Sequence, residues 1–128
     1  MDNLEKIVKK LDISLIILFG SQATKKMGQK SDFDIAVFSH KSMDIKARSQ
    51  FLGVLAEKFN LDEDRIDFVE ISSASPLLQF QISSQGKLLW GNPLDFVRFK
   101  VLAWKRYLDT AKLRSAREKY LRRRIYAK

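Results

Sequence analysis

Two short apolar runs, Ser14 to Phe19 and Phe33 to Phe38, flank a polar stretch that opens on Gly20-Ser21 and closes on Asp32. Each run is continuous and β-prone, which reads as a strand buried on both faces. Gly20 ends the first run, and residues 21–31 carry Lys25, Lys26, Gly28 and Lys30 without a strong period. That stretch reads as a loop, or a loop with one helical turn.

Helical patterns surround these strands. Asp2 with Glu5 opens a short helix to about Leu11, as a variant of the capping box. Asp44 caps a second helix from Ile45 to Phe59, with Phe51, Leu52, Leu55 and Phe59 on one face and Asn60 suited to its end. A third strand is expected at about Arg65 to Ile71, and a short helix from Ser75-Pro76 to Ser84, stopped by Gly86. Lys87 to Trp90 reads as a fourth strand, and Asn92-Pro93 opens the last helix. There Val97, Val101, Trp104, Leu108 and Ala111 form one stripe, suited to packing on the domain or on another helix. Asp109-Thr110 is expected to break that helix before a new stripe of Leu113, Ala116 and Tyr120.

Composition narrows the chemistry. The 128 residues suit one compact domain, and 45% apolar with 30% charged residues is a globular mix. The chain has no cysteine, which excludes disulfides, Cys-based zinc sites and thiol catalysis and fits a cytoplasmic protein. A single histidine, His40, argues against a Ser–His–Asp scheme and reads as a surface residue. The run Leu15 to Phe19 is far too short to cross a bilayer, and the first residues do not read as a signal peptide. Residues 1–95 hold 12 basic and 13 acidic side chains, whereas residues 96–128 hold 12 basic and 2 acidic. The net charge of +9 therefore lives in the C-terminal end, which suits an acidic protein partner or nucleic acid. The aromatic and apolar content of that end favours a protein partner over nucleic acid.

The stretch that carries chemistry is Gly20-Ser21, ten residues, then Asp32-Phe33-Asp34. Strand period two puts Asp32 and Asp34 on one sheet face, where two carboxylates repel unless a cation sits between them or one is protonated. Oxygen ligands favour a hard ion such as Mg²⁺ or Mn²⁺. Asp67, inside the apolar strand Ile66-Asp67-Phe68-Val69, is expected to be a costly buried acid and the third carboxylate of the set. Ser21 and the backbone N–H groups freed at Gly20 suit phosphate oxygens, with Lys25, Lys26 and Lys30 in reach. A phosphate cradle beside a metal-binding carboxylate pair is what nucleotidyl transfer needs. Asp-x-Asp alone is common in turns, and Asp67 alone suits an ion pair with Arg65 or a lysine; only the joint pattern is specific. Lys25 stands where a Walker loop has its second glycine. Asp62, Glu63 and Asp64 read as a solvated loop, Met27-Gly28 as a turn, and Trp90 and Trp104 as core or interface residues.

Leu18-Phe19-Gly20-Ser21 with Ser31-Asp32-Phe33-Asp34-Ile35-Ala36-Val37 resembles the signature of polymerase-beta-type nucleotidyltransferases, in particular the minimal ones of prokaryotes. Ala74-Ser75-Pro76-Leu77-Leu78, Gly86-Lys87-Leu88-Leu89-Trp90, Phe96 with Phe99, and the long basic helix are similar to the MntA-type antitoxins. The resemblance covers nearly the whole chain. It implies an α/β (α+β) fold with a small mixed sheet of about four strands, flanked by helices and followed by long basic C-terminal helices. It divides the chain into a minimal nucleotidyltransferase domain over 1–92 and a helical extension over 93–128 that packs on it and docks a partner.

The activity implied is antitoxin action on a HEPN-domain ribonuclease toxin, by transfer of AMP from ATP to a tyrosine near the toxin's RNase site. Gly20 and Ser21 would hold the triphosphate, Asp32 and Asp34 would ligate two Mg²⁺ ions, and Asp67 would be a further ligand or the general base. Gln22 stands where many relatives have arginine, which shifts phosphate contact to Lys25, Lys26 or Lys30 or weakens it. Two rival readings differ in class. One is a non-catalytic module that neutralises its partner by stoichiometric contact, against which the intact triad Asp32, Asp34 and Asp67 argues. The other is an aminoglycoside-type small-molecule nucleotidyltransferase, for which 128 residues leave little acceptor pocket.

Overall fold

The computed structural model describes residues 2–20 and 33–126. Helix α1 (Asn3–Lys10) leads into strand β1 (Ile13–Phe19); β2 (Phe33–Ser39) is followed by α2 (Ile45–Phe59), β3 (Ile66–Glu70), α3 (Pro76–Gln85), β4 (Lys87–Gly91) and α4 (Pro93–Tyr126). The four strands form one mixed sheet in the order β3-β2-β1-β4. β1 runs antiparallel to both β2 and β4, and β2 runs parallel to β3 through the α2 crossover. This is the small mixed sheet the sequence implied.

The helix starts follow from their capping residues. The carboxylate of Asp2 accepts the N–H of Glu5, that of Asp44 accepts the N–H of Ala47, and the hydroxyl of Ser75 accepts the N–H of Leu78. Each satisfies a donor that the first helical turn leaves without a partner. Asn60 ends α2 in the left-handed conformation at φ 54°, which asparagine tolerates. Gly86 ends α3 for a different reason. Its φ is ordinary, but a Cβ there would overlap the Ile82 carbonyl and the Ile17 side chain. Glycine at this position lets the end of α3 lie directly on β1.

The sheet is covered on both faces, which is why β1 and β2 read as unbroken apolar runs. Ile16, Ile35 and Val37 point into a core with Leu4, Ile7 and Val8 of α1 and Phe51 and Leu55 of α2. Leu15, Ile17, Phe19 and Ala36 point the other way, into a core with Ile82 of α3 and Phe96, Phe99 and Ala103 of α4.

One expectation about α4 is corrected. The helix is continuous for 34 residues, without a break at Asp109-Thr110. The Thr110 hydroxyl donates to the Tyr107 carbonyl and accepts from Arg114, so it is satisfied inside the helix, and the low propensity of one Asp-Thr pair does not stop it. Of the two surfaces open to the Val97 stripe, the domain is not the one it takes. Phe96, Phe99 and Ala103 are buried, whereas Val97, Val101, Trp104 and Leu108, roughly a third of a turn round the helix, are half exposed or more, Val101 to 63%. The helix carries two apolar stripes, and periodicity alone does not choose between them. The phenylalanines bury more area, and the small Ala103 allows close approach. From Lys112 to Ile125 every residue is exposed, so the helix leaves the body as an arm about 20 Å long.

Candidate active site

The site lies where the C-terminal end of β1 meets the start of β2. Phe19 and Asp34 are register partners across β1 and β2, and Asp34 and Asp67 are partners across β2 and β3. Neighbouring strands lie about 4.8 Å apart, so the two carboxylates leave the sheet side by side. Their face follows from the pleat. Ile35 packs into the α1/α2 core and Ala36 into the α3/α4 core, which puts Asp34 on the α3/α4 side. Ile66 and Phe68 pack against the first core and Val69 against the second, which puts Asp67 on that same side.

Asp34 is half-buried beside the buried Phe19, and Asp67 is exposed at the sheet edge. The burial cost expected for Asp67 is therefore not incurred: β3 is an edge strand, and Asp67 lies exposed on it. Asp67 has no hydrogen-bond or ion-pair partner among the described residues, so the expected alternative of a pair with Arg65 is not formed. The edge strand is pinned from α2. The Arg48 guanidinium donates to Glu70 at 3.2 Å and lies over the Phe68 ring at 5.1 Å, gripping β3 just after Asp67.

Gly20 follows β1 with φ +78°, a backbone that side chains rarely adopt. It abuts Asp34: a Cβ at Gly20 would overlap the Asp34 carboxylate. Sequence reasoning assigned Gly20 a turn and a phosphate contact but missed this packing role. The signal was the antiparallel return of the chain, which brings position 34 back beside position 19.

Of the residues assigned to the site by sequence, Gly20, Asp34 and Asp67 are brought together. Ser21, Gln22, Lys25, Lys26, Lys30 and Asp32, with the Met27-Gly28 turn, lie outside the described residues. Among the described residues no group of three or more carboxylates or histidines forms a metal site. Two adjacent oxygen-only side chains, one without a cationic partner, nonetheless fit a hard divalent ion. His40 is exposed beyond the far end of β2, its ring edge-on to Phe38. Trp104 is exposed and stacks on Phe80, while Trp90 is half-buried against the α1/α2 core. No helix among the described residues is long and apolar enough to cross a membrane.

The chain matches known proteins along most of its length. The family model described as polymerase beta nucleotidyltransferase matches residues 2–93. The protein adenylyltransferase MntA of Shewanella oneidensis is 39% identical over 104 residues, covering 77% of this chain and 73% of that protein. The protein of the same name from Aphanizomenon flos-aquae is 31% identical over 90 residues, covering 65% of this chain and 60% of that one. Among solved structures, a toxin–antitoxin complex with AMP-PNP contains a chain 30% identical, with a TM-score of 0.71 over 94% of this chain and 98% of its own. A complex of tri-AMPylated Shewanella oneidensis HEPN toxin with its MNT antitoxin contains a chain 32% identical, with a TM-score of 0.64 over 93% of this chain and 95% of its own. With its strand–glycine–carboxylate geometry and these matches, the chain belongs to the polymerase beta nucleotidyltransferase family, among the MntA protein adenylyltransferases.

Proposed function

We propose that this protein is the antitoxin of a toxin–antitoxin pair and silences a HEPN-domain ribonuclease by transferring AMP from ATP to a tyrosine hydroxyl. The observation that carries the reading is the side-by-side placement of Asp34 and Asp67 against Gly20, in a chain 39% identical to a protein adenylyltransferase.

In the reaction the tyrosine oxygen attacks the α-phosphorus, the bond from that phosphorus to the bridging oxygen breaks, and pyrophosphate leaves with the electron pair. The hydroxyl proton passes to a base, and Asp67 is suited to that role because it is exposed and carries no partner. Asp34 and Asp32 would supply oxygen ligands for Mg²⁺, two ions being expected, with Asp67 a further ligand if it does not serve as the base. The metal contributes charge neutralisation at the triphosphate and the leaving group. Gly20 and Ser21 hold phosphate oxygens, assisted by Lys25, Lys26 and Lys30. The absence of cysteine suits a cytoplasmic setting for this chemistry.

The arm of α4 is the docking element of the 93–128 extension. Between 112 and 125 it carries seven cations against one acid, together with exposed Leu113, Tyr120, Leu121 and Ile125. A helix of that length without tertiary contacts is marginal in water, so a partner surface that is both acidic and apolar stabilises it. A second copy would set cations against cations.

The test is to mix the protein with Mg²⁺, ATP and the product of the neighbouring gene, and to weigh that product by intact mass spectrometry. Whole increments of AMP on the partner, absent without ATP, are expected. A partner neutralised without any gain in mass would leave stoichiometric contact as the mechanism.

A further inference from the structure

The face of the sheet that carries Asp34 and Asp67 also carries a cleft of about 400 Å³ at its opposite end. Its floor is Leu15 and Phe38, register partners on β1 and β2, and its wall is the α4 face bearing Arg98, Leu102 and Arg106. These three residues are spaced four apart and share one side of the helix, so an apolar side chain stands between two guanidinium groups. Leu15 is four residues before Phe19 along β1, which sets the cleft about 14 Å from the catalytic end.

One cation is held in place from beneath. Gln79 is buried, with 6% of its surface exposed, and its Nε2 donates to the carbonyls of Ile71 and Ala74 at 2.9 and 3.2 Å. Those two bonds fix the amide so that its Oε1 accepts from the Arg106 guanidinium at 3.1 Å. A neutral amide orients Arg106 without neutralising it, and no carboxylate pairs with Arg106 among the described residues. Arg98 meets Asp95 at 3.6 Å in an exposed contact that solvent screens. Asp95 also lines the cleft, on the Arg98 side, so the site combines an apolar floor with one carboxylate and two guanidinium groups, of which Arg106 is positioned and has no carboxylate partner among the described residues. Its volume is in the range of small-molecule sites.

We propose that this cleft is a second ligand site, separate from the nucleotidyl-transfer centre, for a small organic anion: an aromatic or branched apolar body carrying one phosphate or carboxylate. The body lies on Leu15, Phe38 and Leu102, and the anion takes the paired N–H groups of Arg106, with Arg98 beside it.

The probe is phenyl phosphate, titrated into the full-length protein with EDTA present and followed by amide chemical shifts, with benzyl alcohol as its uncharged counterpart. Saturable shifts are expected at Ser14, Leu15, His40, Ser72 and along Arg98 to Arg106, with millimolar or tighter affinity. Binding should weaken about tenfold in Arg106→Gln and in Leu102→Glu, and stay unchanged in Asp34→Asn. Both cleft positions are solvent-exposed, so these variants are expected to keep the wild-type spectrum elsewhere. Shifts centred on Asp34 and Asp67, wild-type affinity in Arg106→Gln, or equal affinity for benzyl alcohol would each overturn the proposal. So would a cleft that ignores phenyl phosphate and is covered only when the protein partner is added.

Discussion

The carboxylate of Asp34 occupies the space that a side chain at Gly20 would need. The two residues are distant in sequence and come together because β1 and β2 pair antiparallel, Phe19 opposite Asp34. The glycine therefore does two things: it takes a backbone of φ +78°, and it leaves room for the Asp34 carboxylate.

Gly20→Ala should fail on both counts. Strain at that φ is worth about 1–3 kcal/mol of stability. Displacing the Asp34 carboxylate should cost on the order of 10²-fold in AMP transfer. Chemical denaturation and intact-mass rates of partner modification check the two effects separately. Wild-type transfer in Gly20→Ala would show that Asp34 need not lie where it does.

Asp34→Asn should fold normally and lose Mg²⁺-dependent transfer, because an amide is a poor ligand for a hard cation. Asp32→Ala, which removes a proposed ligand outright, should lose that transfer too. Undiminished transfer by folded Asp34→Asn would sink the assignment of the catalytic centre.

Asp67→Asn should leave stability within about 0.5 kcal/mol of wild type, since Asp67 is exposed and bonded to nothing among the described residues. ATP binding should survive, while transfer falls about 10²–10⁴-fold, as for loss of a general base. Calorimetric ATP titration beside the transfer assay separates the two. A variant that no longer binds ATP would make Asp67 chiefly a ligand of the metal–nucleotide complex.

Truncation after Lys112 should leave the melting temperature of the body nearly unchanged, because residues 113–125 are all exposed. Partner binding should drop sharply. Measuring RNA binding across a salt series on both forms distinguishes docking from a nucleic-acid role. Partner affinity untouched by truncation, with steep salt-dependent RNA binding by the full chain, would reverse the assignment of the arm.

The start of α1 supplies a pH signature. The Glu5 N–H and then the Lys58 ammonium hold the Asp2 carboxyl below its usual 3.8, and Asp2 in turn raises Lys58 above 10.5. A lowered carboxyl stabilises above 3.8, and that contribution fades as the pH falls through the folded-state value. A raised ammonium stabilises below 10.5, and its contribution fades as the pH rises through its folded-state value. Asp2→Asn should therefore lower the urea midpoint by a constant, small amount between these limits and converge on wild type in acid. Both groups are exposed, so added salt should shrink the difference.

Much of this architecture was legible in local chemistry. Asp2, Asp44 and Ser75 marked helix starts because a capping side chain acts within three residues of itself. The runs at β1 and β2 stood out because strands covered on both faces cannot alternate. What was not legible depends on contacts between distant segments. Asp67 was expected to be buried because its neighbours in sequence are apolar, but exposure depends on β3 being the edge strand, which is a fact of sheet order. Val97, Val101, Trp104 and Leu108 have the right period to pack on the domain or on another helix; Phe96 and Phe99 have it too, and only the sheet beneath decides which stripe the domain takes. In the site, Asp34 and Asp67 were recognisable as chemistry, whereas the packing of Gly20 on Asp34 was not, since it exists only once the strands are paired.

Between Pro93 and Tyr126 the last helix contains no glycine and no second proline, so nothing along it acts as a hinge. Phe96, Phe99 and Ala103 clamp its root against the sheet, and that clamp fixes the rotational phase of every residue out to Ile125. Whatever grips Leu113 or Tyr120 meets a face already indexed to the strand that ends at Phe19. One residue inserted near Thr110 would turn that outer face by about 100° and leave the core and the carboxylates where they are.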